Sequence, residues 1–139
     1  ILIKNKKIIE VILMEYFPKR GDIYLVDLSG AVGSEQAGIR PCIIVSNDIG
    51  NRYSPLVHTV PITSKVKKEM PFHVKINNLR EPSIALCEQV GRIDKMRLIE
   101  YIGTVGEREM QKIDRALMVI YGLFNYIPSG EGKRETIFC

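Results

Sequence analysis

From Gly21 onward the apolar positions fall in short runs and alternations broken by Gly, Pro, Asn and Ser, and near the C-terminus they change to a helical period. Asp22 to Leu28 alternates, with Ile23, Leu25 and Asp27 on one face and Tyr24, Val26 and Leu28 on the other. Gly30 to Gly38 reads as a loop, Cys42 to Val45 as a strand buried on both faces, and Asn47 to Pro55 as a second loop with turn residues at almost every position. Leu56 to Ile62 returns as a strand. Phe72, Val74 and Ile76 alternate with polar residues, Ile84 to Leu86 and Val90 are apolar again, and Tyr101 to Val105 makes a last short strand. About six strands at this spacing predict a β-barrel. Met110, Ile113, Leu117, Ile120, Tyr121 and Phe124 then recur at helical intervals, with Glu107, Glu109, Lys112 and Arg115 toward water, so one amphipathic helix closes the domain.

With 139 residues, 45% of them hydrophobic, the chain fills one core and leaves room for one active site or one interface. No apolar run approaches the length that crosses a bilayer. Residues 1–13 mix lysines with isoleucines, but Glu10 interrupts the apolar stretch and no small-residue cleavage site follows, which argues against a signal peptide. The expected organisation is a non-native or flexible extension over 1–13, with Met14 as a natural start, a domain over 14–128 and a flexible tail over 129–139.

Cys42, Cys87 and Cys139 have no metal-binding spacing and read as reduced cytosolic thiols, two of them in the core. His58 and His73 lie in apolar or alternating runs and are expected to be packed or surface side chains without a catalytic role. The net charge is +4; the N-terminal residues contribute two of these charges and the tail balances, so the middle of the chain carries only a small excess. That excess is compatible with a nucleic-acid partner but does not indicate one, and the clustering of charge has to decide.

Three places carry candidate chemistry. Gly33 to Pro41 sets Arg40 immediately before a buried strand, with Pro41 fixing the backbone, and a rigidly presented guanidinium suits a phosphate. A structural ion pair with Glu35 or Asp48 explains the same residue equally well. Thr63 and Ser64 end a strand and lead into Lys65, Lys67 and Lys68, which reads either as a phosphate cradle or as a solvated polar turn. Glu88 and Gln89 interrupt an apolar stretch, where one side chain faces a cleft or Glu88 pairs with Arg92 or Arg97. No serine-nucleophile, Cys/His, P-loop, dinucleotide-binding or carboxylate-cluster motif is present, so neither metal nor cofactor is expected.

Taken together, Arg20-Gly21-Asp22-Ile23-Tyr24, Gly33-Ser34-Glu35-Gln36 with Gly38 and Arg40-Pro41, Ser46-Asn47-Asp48, Pro61-Ile62-Thr63, and Glu88-Gln89-Val90 with Ile93-Asp94-Lys95 resemble the MazF/PemK family of toxin–antitoxin endoribonucleases. The resemblance runs from about Arg20 to Leu123 in several ordered motifs. It implies an SH3-like barrel with a C-terminal helix, a cytoplasmic homodimer, and metal-independent cleavage of single-stranded mRNA at short sequences by 2′-OH transesterification. Translation and growth would be inhibited, and a cognate MazE-like antitoxin would hold the enzyme in check. By carry-over, Arg40 and Thr63 are the catalytic pair, with Glu35 for proton transfer. Glu35, Gln36 and Gln89 fall in motifs that line the RNA groove, with Ser34 beside them; Ser64, Lys65 and Arg92 are expected to contact the RNA as well. One departure stands out: Gly91 occupies the position where relatives commonly carry arginine, and Arg92 follows it, either displaced or returned to place by a bulge. The alternative from another class is a gyrase-poisoning toxin on the same barrel, a protein binder without catalysis.

Overall fold

The computed structural model describes residues 5–9, 16–33, 35–65, 67–77 and 79–123. The strands are β1 (Asp22–Asp27), β2 (Ile39–Ile44), β3 (Leu56–Thr63), β4 (His73–Ile76), β5 (Ser83–Leu86), β6 (Gly91–Asp94) and β7 (Leu98–Thr104); the helices are α1 (Asp48–Tyr53) and α2 (Glu107–Ile120). Residues 5–9 are also helical, with exposed side chains. The rest of the 1–13 extension, the 129–139 tail, Phe124 and Cys139 lie outside the described residues.

The strands form one seven-stranded antiparallel sheet in the order β4-β5-β3-β2-β1-β7, with β6 also paired to β3. β3 is its pivot: Thr59 to Pro61 pair with β2, Leu56 to Thr59 with β6, and Ile62 and Thr63 with β5. A strand that changes partner along its length bends the sheet around the core. No pairing joins β4 to β7 among the described residues, so the expected SH3-like barrel takes a partly open form.

α2 covers the concave side, where Ile113 and Ala116 pack with Ile23, Ile43, Val60 and Ile62. Ile43 and Val60 are cross-strand partners in this cluster. Their neighbours Cys42 and Ile44 point the other way and are also fully buried, which is why the sequence there is continuously apolar. Truncating Ile113 to Ala would cost about 2–5 kcal/mol.

Three expectations change. In β1 the buried residues are Ile23 and Val26, not Ile23 and Leu25, because two register shifts against β7 break strict alternation. The expected loop at Asn47 to Pro55 contains α1: Asn47 Oδ1 accepts from Gly50 N at 2.8 Å and caps the helix, whose Asn51 is fully buried. At the other end, Gly122 at φ 72° stops α2, so Tyr121 leaves the apolar stripe and is 61% exposed.

Two of the sequence motifs are structural. Arg20 Nε donates to the Val45 carbonyl at 3.0 Å while its guanidinium pairs with Asp114 on α2. Gly21 takes a positive φ of 94° and donates to the Ile44 carbonyl, and Asp22 accepts from Lys19 N at 2.9 Å. In the second motif, Ser46 Oγ accepts from His58 N at 3.0 Å and Asp48 accepts from Arg20 N at 2.7 Å. Both motifs lock the chain's entry to the sheet rather than presenting chemistry.

Candidate active site

The β2–β3 ladder ends at Cys42 opposite Pro61. Arg40 and Thr63 each lie two positions beyond that pair, on the same face as Cys42 and Pro61 by the two-residue period of a strand. Arg40 is half-buried; its Nε donates to the Ala37 carbonyl at 3.0 Å, and among the described residues it makes no ion pair. The structural reading of Arg40 is thereby corrected: Asp48 is engaged with Arg20, and neither Glu35 nor Asp48 neutralises the guanidinium. A positive charge held by one backbone bond, with its fork unpaired, suits an incoming anion.

Thr63 is only 3% exposed, whereas Arg40 is half-buried. The threonine ends β3, paired with Ile84 of β5, and its Oγ1 accepts from Lys65 N at 3.2 Å. That bond leaves the hydroxyl proton to donate elsewhere.

Beside this pair a cleft of about 530 Å³ brings together Glu35, Gln36, Thr59, Pro61, Gln89 and Arg92. Gln36 N donates to Gln89 Oε1 at 2.8 Å, tying the Gly30 to Gly38 loop to the short 3-10 turn Cys87–Gln89. Ser64 and Lys65 do not join the cleft; they line a separate cavity with Lys67 and Lys68. Arg40 and Thr63 line neither recess directly. Ser34 lies outside the described residues. Thr59, Pro61 and Arg97 also belong to the cleft, though the sequence marked none of them as a site residue; the period-two relation of Thr59 and Pro61 to Thr63 was the available signal.

Glu88 pairs with His73, Nε2 to Oε2 2.7 Å, rather than with Arg92 or Arg97. His73 Nδ1 lies 2.8 Å from the Lys68 carbonyl, so the ring is bonded on both of its nitrogens. His73 is therefore a brace between the 64–71 loop and the turn that carries Gln89. At Gly91 the β3–β6 register runs unbroken from Leu56–Asp94 to Thr59–Gly91, so no bulge returns Arg92 to the glycine's place. Arg92 opposes His58 instead, and a Cβ at Gly91 would meet only the Gln89 carbonyl at 3.9 Å.

Cys42 and Cys87 are fully buried, and desolvation pushes each thiol up to about 12, so both are packing groups. Among the described residues, no three His, Cys, Asp or Glu side chains cluster so that they could hold a metal ion, and no helix is long and apolar enough to cross a membrane.

Residues 19–121 match the family of PemK-like, MazF-like toxins of type II toxin–antitoxin systems. The chain is 42% identical over 113 residues to Endoribonuclease EndoA of Bacillus subtilis strain 168, spanning 78% of this chain and 97% of that protein. An endoribonuclease solved in complex with its cognate antitoxin from a mycobacterial species is similar at TM-score 0.67 and 29% identity, over 76% of this chain and 96% of that one. MazF from Deinococcus radiodurans shares the fold at TM-score 0.70 and 24% identity, over 77% and 98%. With the family match spanning the whole sheet and α2, the chain belongs to the PemK-like, MazF-like toxins of type II toxin–antitoxin systems.

Proposed function

We propose that this chain is the toxin of a type II pair: a cytoplasmic, metal-independent endoribonuclease that cuts single-stranded mRNA at a short sequence and so arrests translation. The observation that carries the reading is Arg40, unpaired among the described residues, at the end of the β2–β3 ladder on the same face as Thr63. In the proposed step the ribose 2′-oxygen bonds to the adjacent phosphorus and the bond to the 5′-oxygen breaks. Glu35 takes the 2′-hydroxyl proton, and water protonates the leaving oxygen. Arg40 stabilises the charge that grows on the phosphorane, and the Thr63 hydroxyl donates to a phosphate oxygen. Single-stranded RNA fits because unstacked bases expose edges for Gln36 and Gln89 to read, and the nucleophile belongs to the substrate.

The 42% identity to a protein named an endoribonuclease, over nearly all of that protein's length, favours catalysis over the gyrase-poisoning alternative. The mycobacterial relative solved with its antitoxin supports a cognate MazE-like inhibitor, which acts here by covering the cleft and competing for Arg40; the active unit is a homodimer, as the family resemblance implies. The test is incubation in excess EDTA with a long single-stranded RNA, the matching DNA, and RNA carrying one 2′-deoxy residue at the mapped cut. RNA alone should be cut, at one repeated short sequence, and the single deoxy substitution should abolish that cut. Cleavage of the deoxy substrate would refute the 2′-OH mechanism.

A further inference from the structure

A cavity of about 830 Å³ lies between the 64–71 loop, the β4–β5 pair and α2, and its charge is one-sided. Lys65, Lys67 and Lys68 from the loop, Lys75 from β4, and Lys112 and Arg115 from α2 line it, against the single carboxylate Glu69. Glu109, nearby on α2, is occupied by Asn77 N at 2.8 Å. None of the six cations makes an ion pair among the described residues. Holding them together costs self-repulsion that a polyanion would relieve.

The cavity starts where the candidate active site ends. Lys65 N donates to Thr63 Oγ1, and Ile84, in the cavity lining, is the cross-strand partner of Thr63. The strand on which Thr63 acts would continue past it, and the cations on this side lie on three elements in succession. Five of the six are lysines, point charges on flexible stems that follow a backbone without fixing one geometry. The described lining has no Phe or Tyr ring on which a base would stack, and its one imidazole, His73, is bonded to the Lys68 carbonyl and Glu88.

From this we infer that the cavity is a sequence-independent track for the phosphates of RNA flanking the cut, separate from the cleft that reads bases. The inference rests on the ribonuclease reading. Phosphate contacts set position and affinity while the cleft sets the sequence. An acidic segment of a protein partner is the competing occupant, but continuity with Thr63 favours the substrate itself.

The test is the double variant Lys112→Glu/Arg115→Glu. Both residues are exposed on α2 and make no hydrogen bond or ion pair among the described residues, so the fold should tolerate reversal. Two RNAs are compared with the wild type: one restricted to the mapped cut sequence, and one with single-stranded flanks. KM on the flanked RNA should rise about tenfold, with kcat and the short RNA unchanged. Binding of the flanked RNA, measured on its uncleavable 2′-deoxy form, should lose about 1.4 from its logarithmic salt slope, at about 0.7 per phosphate contact. Equal losses on both RNAs, or none on either, would overturn the inference. So would intact RNA cleavage together with weakened inhibition by an acidic antitoxin segment, which would give the cavity to the partner. A wild type that cuts neither RNA would overturn the ribonuclease reading and this inference with it; one that cuts both and ignores the reversal overturns the inference alone.

Discussion

The cleft and the lysine-lined cavity sit on either side of Thr63 and are built on opposite principles. In the cleft Glu35 and Glu88 balance Arg92 and Arg97, and its loops are joined by the Gln36 to Gln89 bond. The cavity gathers six cations against one carboxylate, and none of the six is in an ion pair among the described residues. A bonded, charge-balanced recess holds a geometry, as discrimination between bases requires; an unbalanced one supplies attraction. Changes to the cleft should therefore alter which sequence is cut and how fast, whereas changes to the cavity should alter how tightly a long strand is held.

The sharpest break in that comparison comes from Thr63→Val, which removes the hydroxyl from a buried position while keeping most of its volume. The variant should lose on the order of 10²-fold in kcat. Its unfolding free energy should fall by only about 1 kcal/mol, the worth of the bond from Lys65 N. Unchanged kcat in a folded variant would remove Thr63 from the chemistry. Next is Gln89→Ala, which takes the acceptor from Gln36 N; kcat/KM on the mapped sequence should drop about tenfold and selectivity over one-base variants should narrow. If both substrates lose equally, Gln89 is not a reading residue.

Smaller effects test the supports. His73→Phe keeps a ring but removes both nitrogens, freeing the 64–71 loop from Glu88. An effect of about threefold on kcat/KM is expected, in keeping with the small worth of a partly exposed pair. At exposed Gly91 a Cβ makes only an ordinary contact, so Gly91→Arg should shift base preference at one position of the target without changing Tm; sequencing of cleavage ends would show it. The buried thiols, which line neither recess, test the core instead. Their folded values are raised from 9.0 to about 12, so the folded chain keeps its protons after the unfolded chain releases them. Their stabilising contribution is constant below the ordinary thiol range and declines as the pH rises toward 12, by about 1.4 kcal/mol per pH unit for each thiol. Urea midpoints across that range should fall less steeply in Cys42→Ala than in the wild type.

The periodicity of the apolar residues located the strands and α2 because burial repeats every two or every 3.6 residues. It missed α1, where turn-forming residues read as a loop until the Asn47 cap and the buried Asn51 are seen. Arg40, Thr63, Gln36 and Gln89 were legible as motif residues, but the burial of Thr63 was not, since it depends on β5 arriving on the far edge of β3. The pairing of Glu88 followed the same logic. His73 stands across from Leu86, next to the turn, through a β4–β5 register that no local pattern records. Likewise, the lysines of the 64–71 loop were visible as a run, but Lys75, Lys112 and Arg115 join them only through packing.

The central claim is that Arg40 acts on the scissile phosphate. The most direct test is the single-turnover cleavage rate of Arg40→Ala against wild type on one mapped RNA in excess EDTA, with Tm measured alongside. A fall on the order of 10²- to 10³-fold at unchanged Tm and RNA affinity is expected for loss of a transition-state donor. A variant that cuts at the wild-type rate, or that loses activity only because it no longer binds RNA or fold, would contradict it.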